Sequence, residues 1–174
     1  MVPEPTVGSV TALIELIQKI FSSYSAYKVG AINETDQGLR NEVRRRISMV
    51  QAHINTVEQR AVEMKLADVL SVVTRVQRAC SLFDSDVQMG ISGTSTSTNR
   101  GASKPSKKMI KDLISSDYEI LQRLVESTRM ANAIVDGLHT TPEQSNTILL
   151  ELEQKLTGIR NRYLDRNALL GEIN

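Results

Sequence analysis

Residues Leu39 to Met64 read LRNEVRRRISMVQAHINTVEQRAVEM, and this stretch decides the fold. Its apolar residues fall at Val43, Ile47, Val50, Ile54, Val57, Ala61 and Met64, in steps that alternate four and three. That rhythm places all of them on one stripe of an α-helix. Arg44, Arg45, Gln51, Asn55 and Gln59 lie away from the stripe, on a side suited to water. So regular a seam requires partner helices.

The rest of the chain supplies them. Upstream, beyond a lead-in with Pro3 and Pro5, a helix is predicted over about 7–30. Its apolar face holds Val10, Leu13, Ile14, Ile17, Ile20, Phe21, Tyr24 and Tyr27, and Gly30 is its expected stop. The seam helix is predicted over about 35–62, capped by Asn33 or Thr35. From Met64 to Leu66 the stripe changes phase by two residues, which one straight helix cannot absorb, so a break is expected there without Gly or Pro. A third helix follows over 66–89 with Leu66, Val69, Val73, Val76, Cys80, Phe83 and Val87. The segment Gly90–Lys108, GISGTSTSTNRGASKPSKK, has almost nothing to bury and predicts a flexible loop over 90–105. It is long enough to cross a bundle end and leaves the direction of the next helix open.

A fourth helix is predicted over 106–137, with Ile110, Leu113, Ile114, Leu121, Leu124, Ala131 and Val135 on its stripe. The clearest helix start follows: Thr141 at the cap, Pro142 at the first position and Gln144 as reciprocal partner. The fifth helix, 141–172, carries Leu149, Leu152, Leu156, Ile159 and Tyr163, with Leu169, Leu170 and Ile173 trailing. Gly158 inside it predicts a bend or a close contact. No cap closes it at Asn174, as expected of a piece of a longer chain. The expected architecture is all-α: one domain over 1–174, an up-and-down bundle of four core helices plus a C-terminal fifth.

Composition supports helices. No Trp, two Phe and four Tyr leave the core to Leu, Ile, Val, Ala and Met, as in helical bundles. The formal charge of +1 offers no field for nucleic acid, and no aromatic residues interleave with the basic ones. A single cysteine excludes an internal disulfide framework and fits a reducing, intracellular setting. No uninterrupted apolar run reaches the roughly 18 residues of an ordinary membrane span.

Catalytic and metal-binding patterns are missing. His53 sits at the seam's edge and His139 in the turn before the fifth helix, with no ligand spacing between them or to Cys80. No paired Glu-x-x-His motifs, Gly-rich phosphate loop or nucleophile elbow occurs. Cys80, on an apolar stripe, reads as a buried inert thiol. Neither an enzyme, a cofactor nor a small-molecule substrate is expected.

Charge offers one candidate site. Arg40, Arg44, Arg45 and Arg46 crowd the start of the seam helix, where five arginines face three carboxylates between Asp36 and Arg60. The cluster is either a solvated face or a docking patch for anionic lipid, each basic residue adding about 1 kcal/mol near a charged leaflet. Lys104, Lys107, Lys108 and Lys111 form a second cluster at the long loop.

The run Ile20–Leu82 also resembles the four-helix bundle at the N-terminus of cell-death executioners. These are the mixed lineage kinase domain-like pseudokinase, the fungal HeLo domains and the plant helical resistance domains. The resemblance is carried by an apolar first helix ending in YSAYKVGAINETDQGLRNEVRRRISMV, by the rhythm of Val69–Ala79, and by the later helix IKDLISSDYEILQRLVES. The fifth helix would match the trailing regulatory or brace helix. No kinase, nucleotide-binding or amyloid motif accompanies it. The resemblance implies a cytoplasmic signalling domain of regulated cell death or innate immunity. Such a domain oligomerises and is recruited to the plasma membrane, which it binds or permeabilises. Lipid-facing residues would be Lys19, Lys28, Arg40, Arg44, Arg45, Arg46, Lys104, Lys107 and Lys108. Val10, Leu13, Ile14, Ile17, Ile20 and Phe21 would insert or form core. The first helix has few charges, which favours hydrophobic insertion over head-group recognition. A helical adaptor or homo-oligomerisation module that meets only protein partners fits the same residues.

Overall fold

The computed structural model describes residues 10–28, 31–92 and 105–171. Five helices fill it: α1 (Val10–Ile20), α2 (Ile32–Glu63), α3 (Ala67–Ser92), α4 (Lys107–Gly137) and α5 (Pro142–Gly171). No strand occurs among the described residues. The protein is an all-α helical bundle, and the seam is its axis. Leu39, Val43, Ile47, Val50, Ile54, Val57 and Ala61 are all fully buried.

The break after α2 falls where the stripe changes phase. Lys65 takes the left-handed conformation at φ 59. Its N–H donates to the Val62 carbonyl, and the Leu66 N–H reaches back to that of Ala61. These are the two bonds of a Schellman cap, built without its usual glycine. α4 begins near 106 as expected, and Ser106 caps it, its hydroxyl accepting from the Met109 N–H at 3.2 Å. Pro142 opens α5, while the Thr141 hydroxyl turns back to donate to the Gly137 carbonyl. At Gly158 the helix runs on unbroken, and a Cβ there would meet open space, so no close contact explains that residue.

Three boundaries differ from expectation. α1 ends at Ile20, ten residues before Gly30, and 21–28 form irregular turns. Their side chains are drawn into the core one at a time: Tyr24 and Tyr27 are buried, while Ser22 and Ser23 are exposed. α2 starts at Ile32 with Ala31 in the cap position, not Asn33 or Thr35. The Thr35 hydroxyl instead donates to the Ala31 carbonyl and accepts from the Tyr27 N–H. α3 continues to Ser92, into the segment expected to be loop; the remainder of that loop, 93–104, lies outside the described residues.

The packing order corrects the expected arrangement. α2 neighbours α3 and α4, and α5 neighbours the same two, so α2, α3, α5 and α4 form the ring. The added fifth helix is therefore α1, which packs on α4 alone among the helices; the C-terminal helix belongs to the ring. Buried adjacent pairs on α4 give the reason. Leu113 with Ile114 and Ile120 with Leu121 are buried, so α4 has one face for the ring and another for α1. Three ion pairs and a hydrogen bond show the directions. Arg75 with Glu153 and Asp86 with Arg160 make α3 and α5 parallel. Arg44 with Asp84 and Gln77 with Glu58 make α2 and α3 antiparallel. The bundle is thus two helical hairpins, α2–α3 and α4–α5, laid side by side in the same direction. The link from α3 to α4 joins diagonal corners at one end.

A saturated polar network at one end of the bundle

At that end, charged side chains enter the core. The i,i+4 spacing of Asp36 and Arg40 puts both on the buried side of α2. Tyr163, Arg166 and Asn167 project from the last turns of α5, and Asp117 from the buried face of α4. The turns after α1 add Tyr24 and Tyr27. Arg166 and Asp117 have no exposed side-chain surface at all.

Each group answers another. The Asp117 Oδ2 accepts from the hydroxyls of Tyr24 at 2.7 Å and Tyr27 at 2.6 Å. Its Oδ1 accepts from the Arg166 Nε at 2.9 Å. The other two nitrogens of Arg166 donate to Asp36 and to the Tyr27 oxygen. The Arg40 Nε donates to Asp36 at 2.7 Å and its Nη1 to the Tyr163 hydroxyl at 2.5 Å. Two guanidiniums thus meet two carboxylates. Burial of an ion pair is tolerated only when both charge and remaining hydrogen bonds are satisfied, as here. Burial pushes the Tyr24 and Tyr27 phenols well above their usual range, reinforced by the Asp117 charge, so both stay protonated donors. Burial also pushes the Asp117 carboxyl up, against the pull of Arg166 and the two hydroxyls.

The polar groups at this end are thus engaged chiefly with one another. The network is a clamp: it ties the turns after α1 to α2, α4 and α5. The backbone there is held against its preference, since Ala26 (φ 55) and Tyr27 (φ 54) are consecutive left-handed residues that carry a Cβ.

Of the expected basic patch, one member is drawn inside and the others are paired with carboxylates. Arg40 is 2% exposed and belongs to the network, so it is not a surface residue; its i,i+4 carboxylate drew it inward. Arg44 pairs with Asp84 across to α3. Arg45 and Arg46 both pair with Glu42, at 2.7 and 2.8 Å. Burial raises the Glu42 carboxyl, but the hydrogen bonds from Arg45 and Arg46 prevail and leave it below its usual value. Lys19, Lys28, Lys107 and Lys108 are exposed, and Lys104 lies outside the described residues. Of the apolar candidates, Leu13 and Ile17 are buried, and Val10, Ile14, Ile20 and Phe21 pack half-buried against the core. The outward residue of α1 is Leu16, which was not among them.

His53 is half-buried and His139 exposed. Cys80 is fully buried, and burial pushes its thiol up to about 12. Among the described residues no three His, Cys, Asp or Glu side chains could hold a metal ion, and no helix is long and apolar enough to cross a membrane. A cleft of about 340 Å³ opens at the opposite end of the bundle between Lys65, Leu66, Pro142, Glu143 and Asn146. Three large apolar side chains stand exposed along the flank shared by α3 and α5: Leu82, Met89 and Leu164. Their register follows from the Asp86–Arg160 pair, which sets Met89 level with Leu164.

Sequence reading missed the network, although it left a trace. Asp117 interrupts the α4 stripe between Ile114 and Leu121, and Arg166 interrupts the α5 stripe between Tyr163 and Leu170. Polar residues at core positions on two helices are the signal of a buried pair. Compared with protein-family models, with curated proteins and with solved structures, the chain finds no match in any of the three.

Proposed function

We propose that this chain is a non-enzymatic helical-bundle adaptor that works by binding another protein through the α3–α5 flank. The observation that carries the reading is the apolar strip Leu82, Met89 and Leu164, from 41 to 65% exposed on two parallel helices. Large apolar side chains grouped on a helical surface suit an amphipathic partner helix. The clamp contributes rigidity, so the flank is presented in one geometry. The test is site-specific photo-crosslinking in the source cells. A crosslinker at position 82 or 164 is expected to trap a discrete partner, one at Ala133 none, and Leu82→Gln with Met89→Gln is expected to abolish the product. Equal labelling from all three positions would sink the reading.

A second reading is the membrane-active cell-death or immunity domain implied by the resemblance above, recruited from the cytoplasm to anionic lipid. It is favoured by the exposed Lys107 and Lys108 at the foot of α4, with Leu16 exposed on α1. Sedimentation with phosphatidylserine vesicles at low salt tests it. Binding lost in Lys107→Glu with Lys108→Glu supports it, and a protein that stays in the supernatant rejects it.

A further inference from the structure

We propose that two copies of this chain exchange their N-terminal segments, residues 10–24 of each copy docking on α2 and α4 of the other. Three features carry the inference. First, the segment is held by side chains alone. Leu13 and Ile17 are buried, the Phe21 ring lies over Gly38, and the Tyr24 hydroxyl bonds Asp117. Every one of these contacts can be made identically by the same residues of a second copy.

Second, the connector is strained where it need not be. Ala26 and Tyr27 both sit near φ 55, a region disfavoured for residues with a Cβ. Tyr27 is anchored to Asp117 and Arg166 by its hydroxyl, which fixes the point at which the segment departs. An opened connector lets Ala26 return to an extended conformation while Tyr27 keeps its bonds. Short strained hinges of this kind invite exchange between protomers. Third, α1 has only 11 residues and one helical neighbour, so it can leave without opening the ring. Isolated helices of that length are marginal in water, so the detached segment gains by docking again, on whichever copy is near.

The exchanged pair is a closed two-fold dimer whose population rises with concentration. It does not use the α3–α5 flank and stands apart from the function proposed above. The experiment is light scattering after size exclusion on the full chain, refolded at low and high concentration. A dimer is expected from the concentrated sample. Ala26→Gly, which removes the strain from the closed form, should weaken it about tenfold or more. Inserting three glycines between Ser25 and Ala26, which lets the closed connector relax, should likewise shift the population to monomer. Leu82→Gln with Met89→Gln and Leu164→Gln should leave it unchanged. A chain monomeric under every condition overturns the proposal. So does a dimer indifferent to Ala26→Gly, or one lost with the flank substitutions.

Discussion

Replacing Asp117 by alanine strikes the clamp at its centre. The carboxylate takes three hydrogen bonds, from Tyr24, Tyr27 and Arg166, and lies wholly within the fold. Its removal strands two buried hydroxyls and leaves Arg166 with one carboxylate, Asp36, for its charge. Breaking a buried pair from one side costs about 3–5 kcal/mol. For a chain of this size that is a fall in melting temperature of roughly 6–20 °C. Removing only the hydroxyls, with Tyr24→Phe and Tyr27→Phe together, leaves the ion pair intact and should cost about 1–3 kcal/mol, about 1 per hydrogen bond. Urea unfolding followed by circular dichroism at 222 nm measures both. The reasoning fails if Asp117→Ala lies within about 1 kcal/mol of the parent, or if the double phenylalanine variant is the less stable of the two. Either result would mean that water reaches the cluster and answers its charges.

Gly38→Ala should destabilise, although alanine is the better helix former by about 1 kcal/mol. Its Cβ would lie 2.7 Å from the Phe21 ring, and in a Phe21→Ala background the sign should reverse, which a double-mutant cycle reads directly. Lys65→Gly should stabilise by about 1 kcal/mol, because the left-handed Schellman position suits glycine; thermal denaturation measures it. Glu42 titrates below its usual value in the fold, so its contribution is present above the unfolded value and is lost as pH falls through the lowered one. Stability measured against pH should therefore fall less steeply on the acid side in Glu42→Gln. Cys80 should resist a thiol reagent in the native protein and react only on unfolding, since it is buried and its thiol is pushed up to about 12.

How far the sequence discloses this molecule depends on the kind of residue. The α2 stripe, the break at Met64–Leu66, the start of α4 near 106 and Pro142 are local signals, and each stands where it was read. The ring order is not local. Nothing in the α5 pattern distinguishes a ring member from an added helix, because the same apolar stripe serves both. α1 was read too long because Tyr24 and Tyr27 continue its spacing, yet they reach the core through irregular backbone. Arg40 shows how charge counting placed a core residue in the candidate patch. A side chain four residues from an aspartate, facing a tyrosine and a backbone carbonyl across the bundle, is worth more inside than out. That environment is assembled from α2, α3 and α5, far apart in the chain.

The parallel placement of the two hairpins has a consequence for how the chain can be cut. The start of α2, the end of α3, the start of α4 and the end of α5 all meet where the charges are buried, and both tight turns lie at the far end. A nick in the α3–α4 link would leave two complete hairpins, each carrying half of the acids and half of the bases. Asp36 keeps Arg40 and Asp117 keeps Arg166 within their own halves, but the bonds from Arg166 to Asp36, from Arg40 to Tyr163 and from Tyr24 and Tyr27 to Asp117 run between them, and a slip of one helical turn would misalign these. Reassembly from such halves would therefore be selective for a single register, with electrostatic matching at one rim setting the alignment that the oily interior by itself would leave loose.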